Sequence, residues 1–198
     1  MNNSLVIVDI QPAYETHHKH ISAPLMEYIN TSNYNKILWF FNGESEGQSP
    51  DTISDVQMYA YDHGLDEDKI DDIIFIDKYY SFFRHWMDAG VDEEFTLKVI
   101  RYMIRNDITD SESIDDFAME MLIESYFDVP EGVDIREEFD YLWTDGIHIP
   151  HFKWEAIKTL GSVDTVGGGC NECLKEMEML MTATGVSYNR LDQYTYGG

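Results

Sequence analysis

The sequence predicts an α/β protein, a three-layer α/β/α arrangement built on a mainly parallel, Rossmann-like sheet. Three observations point there. Short, near-continuous apolar runs such as "SLVIVDI" and "KILWFF" are rich in β-branched and aromatic residues and read as strands buried on both faces. These runs alternate with segments whose apolar residues recur at helical spacing, the rhythm of strands joined by crossover helices. The chain of 198 residues, 43% apolar and 14% aromatic, is long enough to bury one domain's core.

The first strand is expected over residues 4–10, ending at Gln11-Pro12, and is followed by a short helix in "APLMEYINTS". "KILWFFNG" (36–43) supplies the second strand, stopped by Asn-Gly. "SPDTISDVQMYAYDHG" reads as a helix entered at Ser49-Pro50 and closed at Gly64. "DIIFIDKYY" (72–80) is the third strand, and residues 92–106 carry Phe95, Val99, Tyr102 and Met103 at helical spacing. Residues 108–150 break the alternation with acidic helices and a Pro/Gly turn. They read as an insertion or cap within a single domain spanning 1–198. The alternation resumes with a helix in "HFKWEAIKTLG", a strand in "SVDTVGGG", a helix in "NECLKEMEMLMTATG" and a final strand in "VSYNRL". In the last helix Leu174, Met177, Leu180 and Met181 form the apolar stripe, Asn171 is the expected N-cap and Gly185 the C-cap.

Charge narrows the function. Thirteen Lys+Arg against 38 Asp+Glu give a formal net charge of −25. A field of that sign repels phosphate backbones and anionic lipid, which argues against nucleic-acid binding through a basic groove and against a membrane partner. The acids are spread from Asp51 to Glu178, the pattern of a solvated acidic surface; an acidic face for a basic partner, or mimicry of DNA charge, is the sharper reading. No run approaches the roughly 18 apolar residues of a membrane span, and the N-terminus lacks the basic and apolar regions of a signal peptide. With only two cysteines, no disulfide framework is expected, and a cytoplasmic location follows.

Those cysteines, Cys170 and Cys173, lie in "GGGCNEC", between a predicted strand and a predicted helix. Three chemistries use such a pair. A thioredoxin-type redox site has this spacing at a helix N-terminus, but too little chain follows Cys173 for the strands that fold needs. A zinc site requires further ligands; His148 and His151 are not at a familiar spacing, and the "HHKH" cluster (His17, His18, His20) is far off in sequence. A catalytic nucleophile requires an activating base and a stabiliser of negative charge. Asp9 and Lys78 each end a predicted parallel strand, as Cys173 follows one, so all three fall at the sheet edge where open α/β sheets bind ligands. At the first helical turn, Cys173 is also expected to have a depressed pKa.

"LVIVDIQPAY", "IDKYYSFF" and "VGGGCNECLKEMEMLMTATG" together resemble the isochorismatase-like cysteine hydrolase superfamily, which includes nicotinamidases and related amidases. The first segment is similar to that family's opening strand with its catalytic Asp and following Gln. The second is similar to its catalytic Lys segment, with Ser81 and Phe82 in the places of a small residue and a Phe. The third matches its strand–Gly–turn–Cys–helix segment, with Gly167 six residues before Cys173 and Leu174 at an aliphatic position. The resemblance implies Cys173 as nucleophile, Asp9 as base and Lys78 as the charge between them. It further implies an oxyanion turn at Gly168 and Gly169, where the family carries a cis peptide, and hydrolysis of a small amide substrate through an acyl-enzyme. Two departures stand out: the stretch from Lys78 to Cys173 is longer than usual, and the Asp/His metal motif of nicotinamidases is not recognisable, "YDHG" with Asp62 and His63 reading as a helix end. No metal and no cofactor are therefore expected. Two readings stay open: a small-amide hydrolase, and a catalytically inactive relative serving as an acidic binding or structural protein, as a homo-oligomer or in a larger assembly.

Overall fold

The computed structural model describes residues 3–43, 51–78, 83–144, 146–149 and 151–197. At its centre is a five-stranded sheet in the order β3-β2-β1-β4-β5, every pair parallel. The strands are β1 (Asn3–Val8), β2 (Lys36–Phe41), β3 (Ile73–Asp77), β4 (Ser162–Gly168) and β5 (Tyr188–Tyr196). The fold is three-layer α/β and Rossmann-like, as the alternation of runs implies. Leu5, Val6, Ile7 and Val8 are all 0% exposed, so consecutive residues of β1 are buried on both faces, which explains its unbroken apolar run.

The helices, in chain order, are α1 (Glu15–Thr31), α2 (Ile53–Asp62), α3 (Glu67–Asp71), α4 (Arg84–Asp88), α5 (Glu93–Asn106), α6 (Asp116–Glu124), α7 (Ile135–Glu138), α8 (Tyr141–Thr144), α9 (His151–Lys158) and α10 (Cys173–Thr184). Contacts divide the chain into two compact units: Met1–Ser81 with Thr159–Glu178 and Val186–Gly198, and Phe82–Lys158 with Met179–Gly185. The first holds the sheet and a core of Leu5, Ile7, Leu25, Trp39, Phe41 and Val56, among others. In the second, α5 buries Phe95, Val99, Ile100 and Met103, and Phe95 packs against Trp86 and Phe127. Between Asp107 and Ile149 no strand of the sheet occurs among the described residues, only one antiparallel bridge between Asp110 and His148.

Several boundaries differ from the sequence reading, for local reasons. Helix α1 starts at Glu15, well before "APLMEYINTS", because His18, Ile21, Ser22, Leu25, Met26 and Ile29 make one buried stripe in which a histidine and a serine stand at core positions. Helix α2 starts at Ile53 on a capping box: Thr52 accepts from the Asp55 N–H while Asp55 accepts from the Thr52 N–H. Strand β5 continues to Tyr196 instead of stopping at Leu191. Helix α10 begins at Cys173, which leaves Asn171 in the preceding turn instead of at the cap position. Ser49, Pro50, Tyr79, Tyr80, Ser81 and Phe82, to which the sequence reading assigned roles, lie outside the described residues. Among the described residues no helix is long and apolar enough to cross a membrane.

Candidate active site

The strand order reverses between β1 and β4: the chain runs from β1 to β2 and β3 on one side, and from β4 to β5 on the other. In open α/β sheets such a switch point is where ligands usually bind, and the first unit brings Asp9, Lys78 and Cys173 together at the carboxyl ends of the strands there. Asp9 directly follows β1, its N–H bonded to Phe40 O at 3.0 Å, with φ at +54°. A left-handed conformation is costly for most residues but tolerated by Asp. Lys78 directly follows β3, its N–H bonded to Phe41 O at 2.9 Å. Its Nζ lies 2.9 Å from Asp9 Oδ2, and the two side chains are 4% and 3% exposed. A charge pair this buried holds only while both partners remain; losing one costs about 3–5 kcal/mol. Cys173 opens α10 beside them, near enough for its thiol to feel the charges of both Asp9 and Lys78.

The glycines before Cys173 are explained by close approaches. Gly167 has φ +105° at a register shift between β4 and β5, and a Cβ there would stand 1.9 Å from Val8 O. A Cβ on Gly168 would fall 1.8 Å from the Tyr196 ring. The Gly169 carbonyl accepts from the N–H of Glu172 at 2.9 Å and of Leu174 at 3.3 Å, closing the turn that presents Cys173. All peptide bonds among the described residues are trans, the Gly168–Gly169 bond included. The N–H groups of Asn171 and Cys173 take no backbone partner in this turn.

Electrostatics corrects one expectation. The Cys173 thiol is not acidified by its helix terminus; its pKa is pushed up from 9.0 to about 12. Burial is the main cause and the Asp9 carboxylate adds to it, against the opposing pull of Lys78. Burial by itself would lower the Lys78 pKa, but the Asp9 carboxylate beside it outweighs this and holds the group above the usual lysine range. The resting site is thus a neutral thiol beside the buried Asp9–Lys78 salt bridge. Asp9 Oδ1 has no hydrogen-bond partner among the described residues, which leaves one carboxylate oxygen free to take a proton.

A supporting frame was not visible in the sequence. Tyr196, at the end of β5, donates its hydroxyl to Asp9 O at 2.9 Å, and its own carbonyl accepts from Cys170 N at 3.0 Å and Cys170 Sγ at 3.1 Å. Arg190 donates Nη2 to Cys170 O at 3.2 Å and Nε to Glu178 Oε1 at 2.9 Å, while Thr165 donates to that same oxygen at 2.9 Å. Cys170 is therefore bound up in the turn. Gln11 clasps the end of β2: Oε1 accepts from Asn42 N at 2.7 Å, and Nε2 donates to Asn42 O at 2.9 Å and to Asp51 Oδ2 at 2.7 Å. The one available signal was Gln11 directly after the Asp9 segment; nothing in the local pattern marks Tyr196 or Arg190. The "HHKH" residues lie on α1, where His18 is buried against the Gln11 backbone and Ser22, and burial lowers its pKa so that it is neutral at pH 7. Among the described residues no group of three or more His, Cys, Asp or Glu side chains is placed to hold a metal ion. Comparison with protein-family models, curated proteins and solved structures gave no match.

Proposed function

We propose that this protein is a cysteine hydrolase of the isochorismatase-like type that cleaves a small amide. The observation that carries this reading is the 2.9 Å Asp9–Lys78 pair, almost fully buried, beside a thiol at the switch point of a parallel sheet. A buried carboxylate with one unshared oxygen, a lysine held charged and a cysteine at a helix start supply a base, a counter-charge and a nucleophile at one edge of the sheet.

The raised thiol pKa sets the order of events. Sγ attacks the carbonyl carbon as its proton passes to Asp9 Oδ1, forming the C–S bond without a standing thiolate. Lys78 stays charged throughout and offsets the negative charge that moves between Asp9 and Cys173. Backbone N–H groups of the turn from Gly168 and Gly169 to Cys173 hold the oxyanion. The C–N bond then breaks, with the Asp9 proton going to the leaving amine. Water attacks the thioester, giving its proton to Asp9, and the acid leaves as the C–S bond breaks and Sγ recovers that proton.

The test is release of ammonia from a panel of small primary amides. Cys173→Ala is expected to abolish turnover, and Asp9→Asn to lower it by roughly 10²–10⁴-fold, with Cys170→Ala near wild type. Turnover that survives Cys173→Ala would overturn the reading. A folded protein with no turnover on any amide would favour the alternative of an acidic binding protein.

A further inference from the structure

We infer that Tyr14 and Asn42 form a substrate-reading pair beside Cys173, selecting amides that carry a second amide edge: the Tyr14 O–H donates to that edge's carbonyl oxygen, and Asn42 Oδ1 accepts its N–H. The inference rests on the hydrolase reading only in taking Cys173 as the reacting group.

The pair is built rather than incidental. Tyr14 ends the single 3-10 turn that follows β1, its N–H bonded to Gln11 O at 3.1 Å. Asn42 follows β2 by one residue, and the two-way Gln11 clasp fixes its backbone at 2.7 and 2.9 Å. Asn42 Nδ2 donates to the Tyr14 hydroxyl oxygen at 2.8 Å. That bond leaves two groups unspent. The Tyr14 O–H proton finds no acceptor among the described residues, and the buried Asn42 Oδ1 finds no donor among them. Buried polar atoms are nearly always paired, so an exception at the carboxyl ends of the strands, next to Cys173's neighbours, marks a place where a ligand supplies the partner.

Chemistry then narrows the ligand. The Tyr14 phenol is kept protonated: burial raises its pKa, and the Asp9 charge adds to this against the Asn42 bond and Lys78. It therefore offers a donor, and Asn42 Oδ1 an acceptor. A carboxylate would meet Asn42 Oδ1 and Asp9 Oδ1 with lone pairs only, whereas a carboxamide edge supplies one acceptor and one N–H. The favoured substrates are small diamides and similar neutral molecules, not amide acids.

The experiment compares two reagents on Cys173 at about pH 9, in a Cys170→Ala background. Iodoacetamide places a carboxamide one carbon from the attacking sulfur, and methyl methanethiosulfonate carries none. Both consume the same thiolate, so their rate ratio cancels changes in thiol acidity. Tyr14→Phe and Asn42→Ala are each expected to lower the iodoacetamide-to-methanethiosulfonate ratio by about tenfold, the factor one neutral hydrogen bond carries. A ratio unchanged in both variants would overturn the pair. A binding measurement separates it from the hydrolase reading: malonamide, and not malonate, should raise the melting temperature of Cys173→Ala protein, and Tyr14→Phe should remove that shift. Such a shift in a protein that hydrolyses no amide would sink the hydrolase reading and leave the pair standing. Turnover without any Tyr14-dependent shift would sink the pair alone.

Discussion

Asp9 is held in a left-handed backbone conformation and shares its carboxylate with Lys78, yet keeps one oxygen unspent. The consequence appears at Cys173, whose thiol is made harder to ionise first by burial and then by the Asp9 charge. Iodoacetamide alkylation of Cys173 should therefore keep accelerating with pH well beyond 9 toward about 12, where an ordinary thiol would level off near 9. Removing the Asp9 charge with Asp9→Asn should move the inflection down, and Lys78→Met should move it up. A wild-type inflection at or below the ordinary thiol value would contradict the assignment. Stability carries the same signature. Between about pH 9 and about pH 12 the unfolded thiol has lost its proton while the folded one keeps it. The contribution is intact below pH 9 and is lost as pH rises, by about 1.4 kcal/mol for each pH unit in that window. Wild type should thus lose stability relative to Cys173→Ala above pH 9, and parallel pH curves for the two proteins would contradict it.

At the scale of elements, β5 and the turn from β4 to α10 behave as one device. The Tyr196 ring occupies the space a Gly168 side chain would need, while its hydroxyl and carbonyl tie Asp9 to the Cys170 turn. Gly168→Ala should displace that ring and cost about 1–3 kcal/mol. In a Tyr196→Ala background the added methyl meets no ring, so the two substitutions should fall short of additivity by about 0.5–3 kcal/mol in denaturant melts. Strict additivity would mean that the ring does not enforce the glycine. This device also marks the limit of what the sequence discloses. Strands β1 and β2 were legible because burial on both faces leaves an unbroken apolar run, and β4 because Val163 and Val166 run into the triple glycine. Asp9 and Lys78 were legible as charged residues at the ends of strands, and Cys173 as the residue after a glycine turn. The far half of β5 was not, because an edge strand with exposed and half-buried positions carries no apolar run. The start of α1 was hidden by His18 and Ser22, whose burial depends on partners at Gln11 and Tyr59. Tyr196, Arg190, Tyr14 and Asn42 act through contacts between residues distant in sequence, which local periodicity does not encode.

For the whole molecule the dominant fact is a net charge of −25. Repulsion among that many like charges opposes compaction and is relieved by screening. Within the second unit, Glu112, Asp115, Asp116, Glu124, Asp128, Glu131, Asp134, Glu137, Glu138 and Asp140 are all exposed, and Arg136 is the one basic residue between Asp107 and Asp145. Sodium chloride at 1 M shortens the screening length to about 3 Å, from about 10 Å at 0.1 M. The melting temperature should therefore climb by several degrees over that range. Replacing Asp128 and Glu131 by Lys lowers the repulsion directly, so the Asp128→Lys, Glu131→Lys double variant should melt higher than wild type at 0.1 M salt, with the gap closing at 1 M. Chloride is the anion to use, since sulfate strengthens apolar burial and would raise the melting temperature without any relief of charge. A gap that persists undiminished at 1 M salt, or a variant that melts lower at 0.1 M, would show that these acids act through local contacts instead of their summed field.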